Sequence, residues 1–569
     1  MNIKIGGAAG QGMQTIGFML GKIFVRGGYH AFAIQDNMSR IRGGHNFFQI
    51  RIKKEPVMAM TSGVHFLVAL DRESIETHAG DLVSDGLVIY DGESLDFSSD
   101  EDRFLNVPLE KLAIERGGKK IYSNSVSLGF ILGLLNFGRD IMNELFRETF
   151  AKNEEVAEEN IKTARAGYEY ARQNFANRWV RTMQPEKGAR RMFINGNEAI
   201  CLGAIASGCK FMSAYPMSPS TAIITYLSGK DEQTGMVTEQ GEDEIAVINL
   251  ALGASAAGVR SMVATSGGGF ALMVETLSLL GVSEVPLVIV DCQRPGPATG
   301  LPTRTEQADL LFIIHAGHGE FPRAVLAPGD PEQAFRMTIH AFNLADRFQI
   351  PAFVLSDQYL CDSYFTCHPF DISNIPYETS LLSDDELARL KEYKRYRITD
   401  SGVSPRAYPL QSKHLVVTDS HEHDEAGHIT EDAVIRKSMV EKRLRKTEGI
   451  LARFSGPDIE GPDKATTTVC GWGSTLGVLK EAVSTLRDTG SDLRLAHFSE
   501  LWPFPAAQTR EVLQSSRRLV VVENNAAGQL AWLIRQYTGR RDIDEVLKYD
   551  GRPFTVDGLV GELRKVVIE

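Results

Sequence analysis

Three times along the chain an apolar, strand-like segment breaks into a glycine turn and then into a helix-like segment. Asn2–Ile5 runs into Gly6–Gly12, the segment ending at Thr265 into Ser266–Gly269, and Thr466–Cys470 into Gly471–Ser474. A strand that hands over to a helix in this way needs a parallel partner beyond the helix, which predicts an α/β protein built on parallel sheets with helices on both faces. At about 100 to 200 residues per domain, 569 residues allow three or four such units. The first unit opens as strand, glycine turn, helix (Ile16–Val25) and strand (Ala31–Ile34), and closes in a polar helical stretch from about Glu154 to Asn177. A Pro-, Gly- and Arg-containing segment, Thr182–Arg191, ends it near residue 185. A second α/β unit spans 192–370, with Val285–Asp291 and Ala352–Ser356 among its strands. Residues 371–465 are charged and read as a linker or arm whose helix runs from about Glu431 to Phe454. The third α/β unit spans 466–569.

Composition excludes several function classes. Sixty-one basic against 73 acidic residues give a net charge of −12, and no block of basic residues offers a nucleic-acid arm. No apolar run reaches the length of about 18 residues that a membrane span needs, and the N-terminal residues lack a signal-peptide pattern, so the expectation is a cytoplasmic protein. The six cysteines (Cys201, Cys209, Cys292, Cys361, Cys367 and Cys470) include no C-x-x-C pair, so no metal–thiolate centre is expected on this chain. Cys292 reads as a buried strand residue. His421, His423 and His428, interleaved with acids, read as part of a solvated, charged arm, with a metal site as the alternative.

The N-terminal turn is the first candidate site. Gly10 and Gly12 let backbone N–H groups approach an anion at a helix N-terminus. As a dinucleotide fingerprint it is imperfect, because Thr15 stands where the third glycine belongs, although Asp36 lies near the position of a ribose-binding acid. NAD, another anionic ligand and a bare tight turn all remain open. Downstream, Arg40 and Arg42 flank a Gly-Gly turn in Ser39–Asn46, a forked donor set suited to phosphate.

The second unit holds sharper signals. In Tyr215-Pro216-Met217-Ser218-Pro219 a hydroxyl is held between two prolines, each restricting the backbone before it, which suits a residue that orients a substrate. Glu242-Asp243-Glu244 precedes a helix rich in small residues, among them Ala251, Gly253 and Ala254. Those residues permit close packing, so Glu244 is expected to be buried against a ligand, with an ordinary helix cap as the alternative. Thr265-Ser266-Gly267 ends a strand in what reads as an exposed active-site turn, and Arg294 follows another strand, where α/β sheets place their ligands.

Taken together, Tyr215–Ser220, Glu242–Glu244 leading into Ala251–Ala254, Thr265–Gly267 and Gln293–Gly296 resemble the alpha subunit of thiamine-dependent 2-oxoacid:ferredoxin oxidoreductases. The first 185 residues resemble that family's Rossmann-like gamma domain, a probable coenzyme A side, fused in front. The second unit is similar to its pyrimidine-binding thiamine domain, and the third, with Glu523–Asn525 and Gly528–Leu530, to its transketolase C-terminal-like domain. The resemblance implies that Glu244, nine residues before Gly253, meets the aminopyrimidine ring of thiamine diphosphate, with Glu242 as runner-up. An acid there protonates the ring and favours the tautomer that takes the thiazolium proton. Ser218 would contact the 2-oxo acid and Arg294 would pair with its carboxylate. Tyr215, Pro216, Thr265, Ser266 and Gly267 would line the cofactor, and Gly10, Gly12, Arg40 and Arg42 the anionic co-substrate. Two positions depart from the family pattern: Met217-Ser218 replaces the usual Ile-Thr, and Gly268 replaces a proline.

No Gly-Asp-Gly motif for the diphosphate and Mg²⁺ occurs in the chain, and the cysteines cannot hold a 4Fe-4S cluster. The resemblance therefore implies a beta subunit carrying both, in a dimer of alpha–beta heterodimers that reduces ferredoxin and transfers an acyl group to coenzyme A. The fused first domain points to 2-oxoglutarate, with pyruvate and branched-chain or aryl 2-oxo acids as alternatives. Outside the family, a non-catalytic structural subunit and an NAD-linked dehydrogenase are the competing expectations.

Overall fold

The computed structural model describes residues 1–567 apart from 39–43, 180, 182 and 187. Arg40 and Arg42 lie outside the described residues. The chain divides into two compact units, Met1–Ile194 with Ser363–Pro369 and Thr555–Gly558, and the remainder.

The first unit is an eight-stranded sheet. Strand Asn2–Ala8 lies parallel to Val64–Ala69, which continues parallel through Leu82–Tyr90 to Phe104–Asn106. On its other side the antiparallel strand His45–Lys53 intervenes before His30–Asp36. The expected strand–helix–strand opening is therefore interrupted by a hairpin, and Asp36 sits two strands, roughly 9 to 10 Å, from the strand that feeds the glycine turn. A ribose-binding acid belongs on the adjacent strand, so this topology does not support the dinucleotide expectation. Tyr364–Cys367 pairs with His30–Asp36 in this sheet. One face is covered by the helices Ser123–Leu135 and Glu154–Asn174, which touch backbone to backbone. A Cβ on Gly129 would meet the Ala164 carbonyl, and one on Gly167 would meet that of Val126.

The second unit contains two sheets. The larger runs Glu500–Trp502, Ala324–Leu326, Pro351–Asp357, Leu287–Gln293, Ser261–Thr265, Phe211–Ala214 and Val237–Gln240, parallel throughout except at Glu500–Trp502. The smaller has Thr467–Trp472 at its centre, parallel to Leu493–Phe498 and Arg518–Glu523. A strand of the third expected unit, Glu500–Trp502, extends the larger sheet, and one apolar core runs from Val263 and Phe270 to Trp472 and Leu530. Gln307 ties the two sheets together, its side chain donating to the Trp472 carbonyl at 2.9 Å and accepting from the Asn524 N–H at 3.1 Å. Glu523 caps helix Gln529–Thr538 by accepting from the N–H groups of Leu530 and Ala531, which accounts for the Glu523–Asn525 and Gly528–Leu530 motifs.

Residues 371–465, expected to be a solvated linker or arm, are instead packed into the second unit. Glu284, 1% exposed, receives Lys442 and Lys446 of helix Ala433–Leu451, each at 2.5 Å. Arg395 donates to the Glu284 carbonyl at 2.7 Å. Burial alone would raise the Glu284 carboxyl, but the two lysines and Arg395 outweigh it and hold the group well below the usual range. His423 is likewise fully buried, its ring 3.8 Å from that of Tyr396, while Glu422 takes Arg436 and Arg443. Part of the charge of this segment therefore goes into buried ion pairs, while His421 and His428 remain exposed, as expected of a solvated arm. Removing the carboxylate would leave two buried ammonium groups uncompensated, so Glu284→Gln should cost about 3 to 5 kcal/mol, read as a lower midpoint of chemical unfolding.

Candidate active site at the carboxyl end of the larger sheet

Four adjacent parallel strands end side by side and deliver the predicted residues to one edge. Val237–Gln240 leads to Glu242 and Glu244, Phe211–Ala214 to Tyr215–Ser218, Ser261–Thr265 to Ser266–Gly267, and Leu287–Gln293 to Arg294. In open α/β sheets this edge is where ligands bind. Structure thus brings together Ser218, Glu244, Thr265 and Arg294 from sequence positions up to 76 residues apart.

The three consecutive acids divide their labour. Asp243 is the N-cap of helix Glu244–Ala256, its carboxylate accepting from the Ala246 N–H at 2.7 Å. Glu242 is exposed, whereas Glu244 is 4% exposed and has no hydrogen-bond partner among the described residues. The helix cap is therefore the neighbouring Asp243 rather than Glu244. A buried carboxyl group without a partner is costly. It fits a site in which a ligand supplies the partner, and an acid at this edge is what an aminopyrimidine ring nitrogen requires.

The reason for its burial differs from the expected one. The small residues of its own helix do not press on anything at Gly253, where an added Cβ would meet no atom within 4 Å. Glu244 is enclosed instead by the next helix, Gly267–Ser283. A Cβ on Gly269 would meet Thr265 Oγ1 and lie 2.8 Å from Glu244 Oε1. Contrary to the exposed turn expected, Thr265 and Ser266 are fully buried, Gly267 is half-buried and Gly268 is exposed.

Arg294 donates through Nη1 to the Ser218 carbonyl at 2.8 Å, so these two residues are in contact. Partial burial lowers the guanidinium pKa. Tyr215, Pro216 and Ser218 are exposed beside it. In the first unit, Gly10 and Gly12 both have positive φ (90° and 83°), and Gly12 begins helix Met13–Arg26 with no side-chain cap. Gly10 and Gln11 open onto a cavity of about 550 Å³ that Arg72 and Lys120 also line. Cys292 is buried, and contact with Cys361 together with burial pushes its thiol well up, away from reactivity. Among the described residues no group of three or more His, Cys, Asp or Glu could hold a metal ion, and no helix is long and apolar enough to cross a membrane.

Comparison with known proteins bears on this site directly. The model of the thiamine-diphosphate-binding domain of pyruvate flavodoxin/ferredoxin oxidoreductases matches residues 202–442. Pyruvate ferredoxin/flavodoxin oxidoreductase matches residues 2–170, and core domain II of pyruvate:ferredoxin oxidoreductase residues 465–559. The alpha subunit of 2-oxoacid:ferredoxin oxidoreductase 2 from Aeropyrum pernix is 31% identical over 100% of this chain and 98% of its own. The chain belongs to the 2-oxoacid:ferredoxin oxidoreductase family. It is also similar to the 2-oxoglutarate oxidoreductase subunit KorA of Mycobacterium tuberculosis, 30% identical over 98% and 90% of the two chains. The 2-oxoglutarate:ferredoxin oxidoreductase of Magnetococcus marinus, solved with 2-oxoglutarate, coenzyme A and succinyl-CoA bound, matches with a TM-score of 0.92 and 30% identity over 100% and 99% of the chains. As an alpha subunit of this thiamine-dependent oxidoreductase family, the chain works with a beta subunit.

Glycine at 269 has an ordinary φ, so Gly269→Ala acts through the clash with Thr265 and Glu244 rather than through backbone strain. Displacing a catalytic group by about 1 Å costs on the order of 100-fold. Gly269→Ala should lower kcat of the reconstituted complex by about that factor while leaving the unfolding midpoint within about 1 kcal/mol of the parent.

Proposed function

We propose that this chain, with its beta subunit, converts 2-oxoglutarate and coenzyme A to succinyl-CoA and CO2, the two electrons passing one at a time to ferredoxin. The observation that carries the thiamine part of the reading is Glu244, buried and unpartnered at the edge where four strands end. The choice of 2-oxoglutarate is supported by full-length similarity to the Magnetococcus marinus and Mycobacterium tuberculosis proteins.

Bound thiamine diphosphate would supply the nucleophilic carbon and the electron sink. Glu244 would hold a proton at the pyrimidine nitrogen, where its burial keeps water from competing for that bond. Arg294 would pair with the substrate carboxylate by charge-assisted hydrogen bonds, its contact with the Ser218 carbonyl fixing the fork's direction. Ser218 Oγ, on the same exposed turn, would meet the 2-oxo group. In the first unit, the uncapped helix start at Gly12 and the cavity beside Gly10 would take a phosphate of coenzyme A.

The partner requirement has its own physical support. Helix Glu244–Ala256 is apolar around its whole circumference, yet Ile245 is 50% exposed; Leu272 of the neighbouring helix is 53% exposed and Val237 on the edge strand 56%. Such a face next to a site needs a cover. A beta subunit seated there would bring the diphosphate and Mg²⁺ clamp that this sequence lacks, together with a 4Fe-4S cluster.

The test is co-expression with the neighbouring gene product and assay of a panel of 2-oxo acids with coenzyme A and a one-electron acceptor. We expect the highest kcat/KM with 2-oxoglutarate and a fall of 100-fold or more in kcat for Glu244→Gln, of the order that general acid–base groups contribute. Unchanged turnover in Glu244→Gln would sink the catalytic assignment, and turnover by this chain alone would sink the shared site.

A further inference from the structure

The proposed function leaves one buried side chain of the catalytic edge without a role. Gln293 is the last residue of strand Leu287–Gln293 and is fully buried. Both ends of its carboxamide are used: Nε2 donates to the Ser356 carbonyl of the neighbouring parallel strand, and Oε1 accepts from the Asp309 N–H, each at 3.0 Å. Residues 293 and 309 are 16 positions apart. Between them the chain leaves the strand at Arg294, runs out through the exposed residues 296–301 and returns to helix Leu310–His315. The carboxamide therefore joins the two limbs of this loop at its base and ties both to strand Pro351–Asp357.

What this clasp seats is Asp309. Its carboxylate lies against Gly267, the first residue of helix Gly267–Ser283, where an added Cβ would fall 2.7 Å from Oδ1 and closer still to Oδ2. The side chain does not anchor itself there. It makes no cap bond to helix Leu310–His315, and Oδ2 is buried without a hydrogen-bond partner among the described residues. Where the carboxylate sits is thus decided by where its backbone is held. Two residues beyond Gly267, an added Cβ on Gly269 would meet Thr265 and Glu244, so a displacement of the helix head reaches Glu244 within a single turn of backbone.

We propose that Gln293 is a positioning residue, whose carboxamide fixes the seat of Asp309 against Gly267 and, through that seat, the helix start that encloses Glu244. Fully buried, Gln293 touches neither substrate nor cofactor and acts through its two partners. The clasp is independent of the reaction, whereas its effect on turnover rests on the function proposed above. Arg294 keeps its own bond to the Ser218 carbonyl, so loss of the clasp bears on the chemical step more than on capture of the substrate.

The clasp is read by amide hydrogen exchange of the alpha–beta complex. The Asp309 amide should be protected in the parent and exchange at least about 10-fold faster in Gln293→Met, which keeps the length of the side chain but neither bond. Rapid exchange at Asp309 in the parent, or protection undiminished in Gln293→Met, overturns the clasp whatever the reaction. For turnover, measured per assembled complex on whichever 2-oxo acid it converts fastest, Gln293→Met should lower kcat by about 10-fold or more while KM for that acid stays within about 3-fold. Gly267→Ala pushes on the Asp309 carboxylate from the opposite side. If both changes act on one seat, the double variant should be no slower than the slower single variant, whereas independent losses multiply. Unchanged kcat in Gln293→Met, a loss confined to KM, or multiplied losses overturns the positioning role. Neither arm uses Glu244→Gln, so such a failure leaves the substrate and cofactor assignments to their own test. Should Gln293→Met not assemble, Gln293→Asn, one methylene too short to span both partners, takes its place with the same expectations.

Discussion

The close approach at the head of helix Gly267–Ser283 governs the rest of the site. Two positions in its first turn, 267 and 269, have no room for a Cβ, because each is filled from outside by a carboxyl group. Asp309 arrives from one flank and Glu244 from the other. A helix N-terminus favours negative charge, which lessens the cost of bringing acids there. At this edge of the larger sheet the two glycines therefore leave the space that the carboxyl groups occupy, and a Cβ at either would have to displace the acid beside it.

A second device keeps that edge in place from behind. Helix Gly267–Ser283 ends at Glu284, in a left-handed conformation with φ of 50°, where its carboxylate takes two lysines of the long helix Ala433–Leu451. The same helix therefore meets Asp309 and Glu244 at its start and a buried ion cluster at its end. A buried ion pair contributes little net stability relative to an apolar replacement, but it fixes register, because a slip of one helical turn would strand a charge. This explains why a segment as charged as 371–465 folds against the second unit: Lys442, Lys446 and Arg443 meet the buried or nearly buried acids Glu284 and Glu422, acceptors that no solvated arm would need.

Much of this was legible in the sequence, and the parts that were not share a cause. Alternation and glycine turns predicted parallel sheets, and the strand ends correctly located Ser218, Glu244, Thr265 and Arg294 on one edge. These are local patterns with local causes. Burial of the Thr265–Gly269 turn, by contrast, depends on Asp309, 40 residues beyond Gly269, and internal pairing of Glu422 and Glu284 depends on partners 14 to 162 residues away. Charge and glycine content read the same in an exposed loop and in a buried one; only the partner distinguishes them. The hairpin strand His45–Lys53 was hidden for the same reason, since order within a sheet is a non-local property.

The small residues of helix Glu244–Ala256 show where the chain's own logic stops. In a self-contained domain, glycine and alanine in a helix are there because a neighbour presses on them, as Ala164 and Val126 press on Gly129 and Gly167 in the first unit. At Gly253 nothing presses, and the position is open beside exposed Ile245 and Leu250. A glycine in an exposed helix interior weakens the helix by about 1 kcal/mol relative to alanine, and at Gly253 it gains nothing in return within this chain. Its use must lie outside: a flat, apolar face that a second polypeptide can approach to backbone distance. That face adjoins Glu244, so the proposed partner surface and the proposed cofactor-facing acid lie on the same helix. On the function proposed above, assembly would complete the active site, and the partner's arrival would supply what the Glu244 carboxyl lacks within this chain.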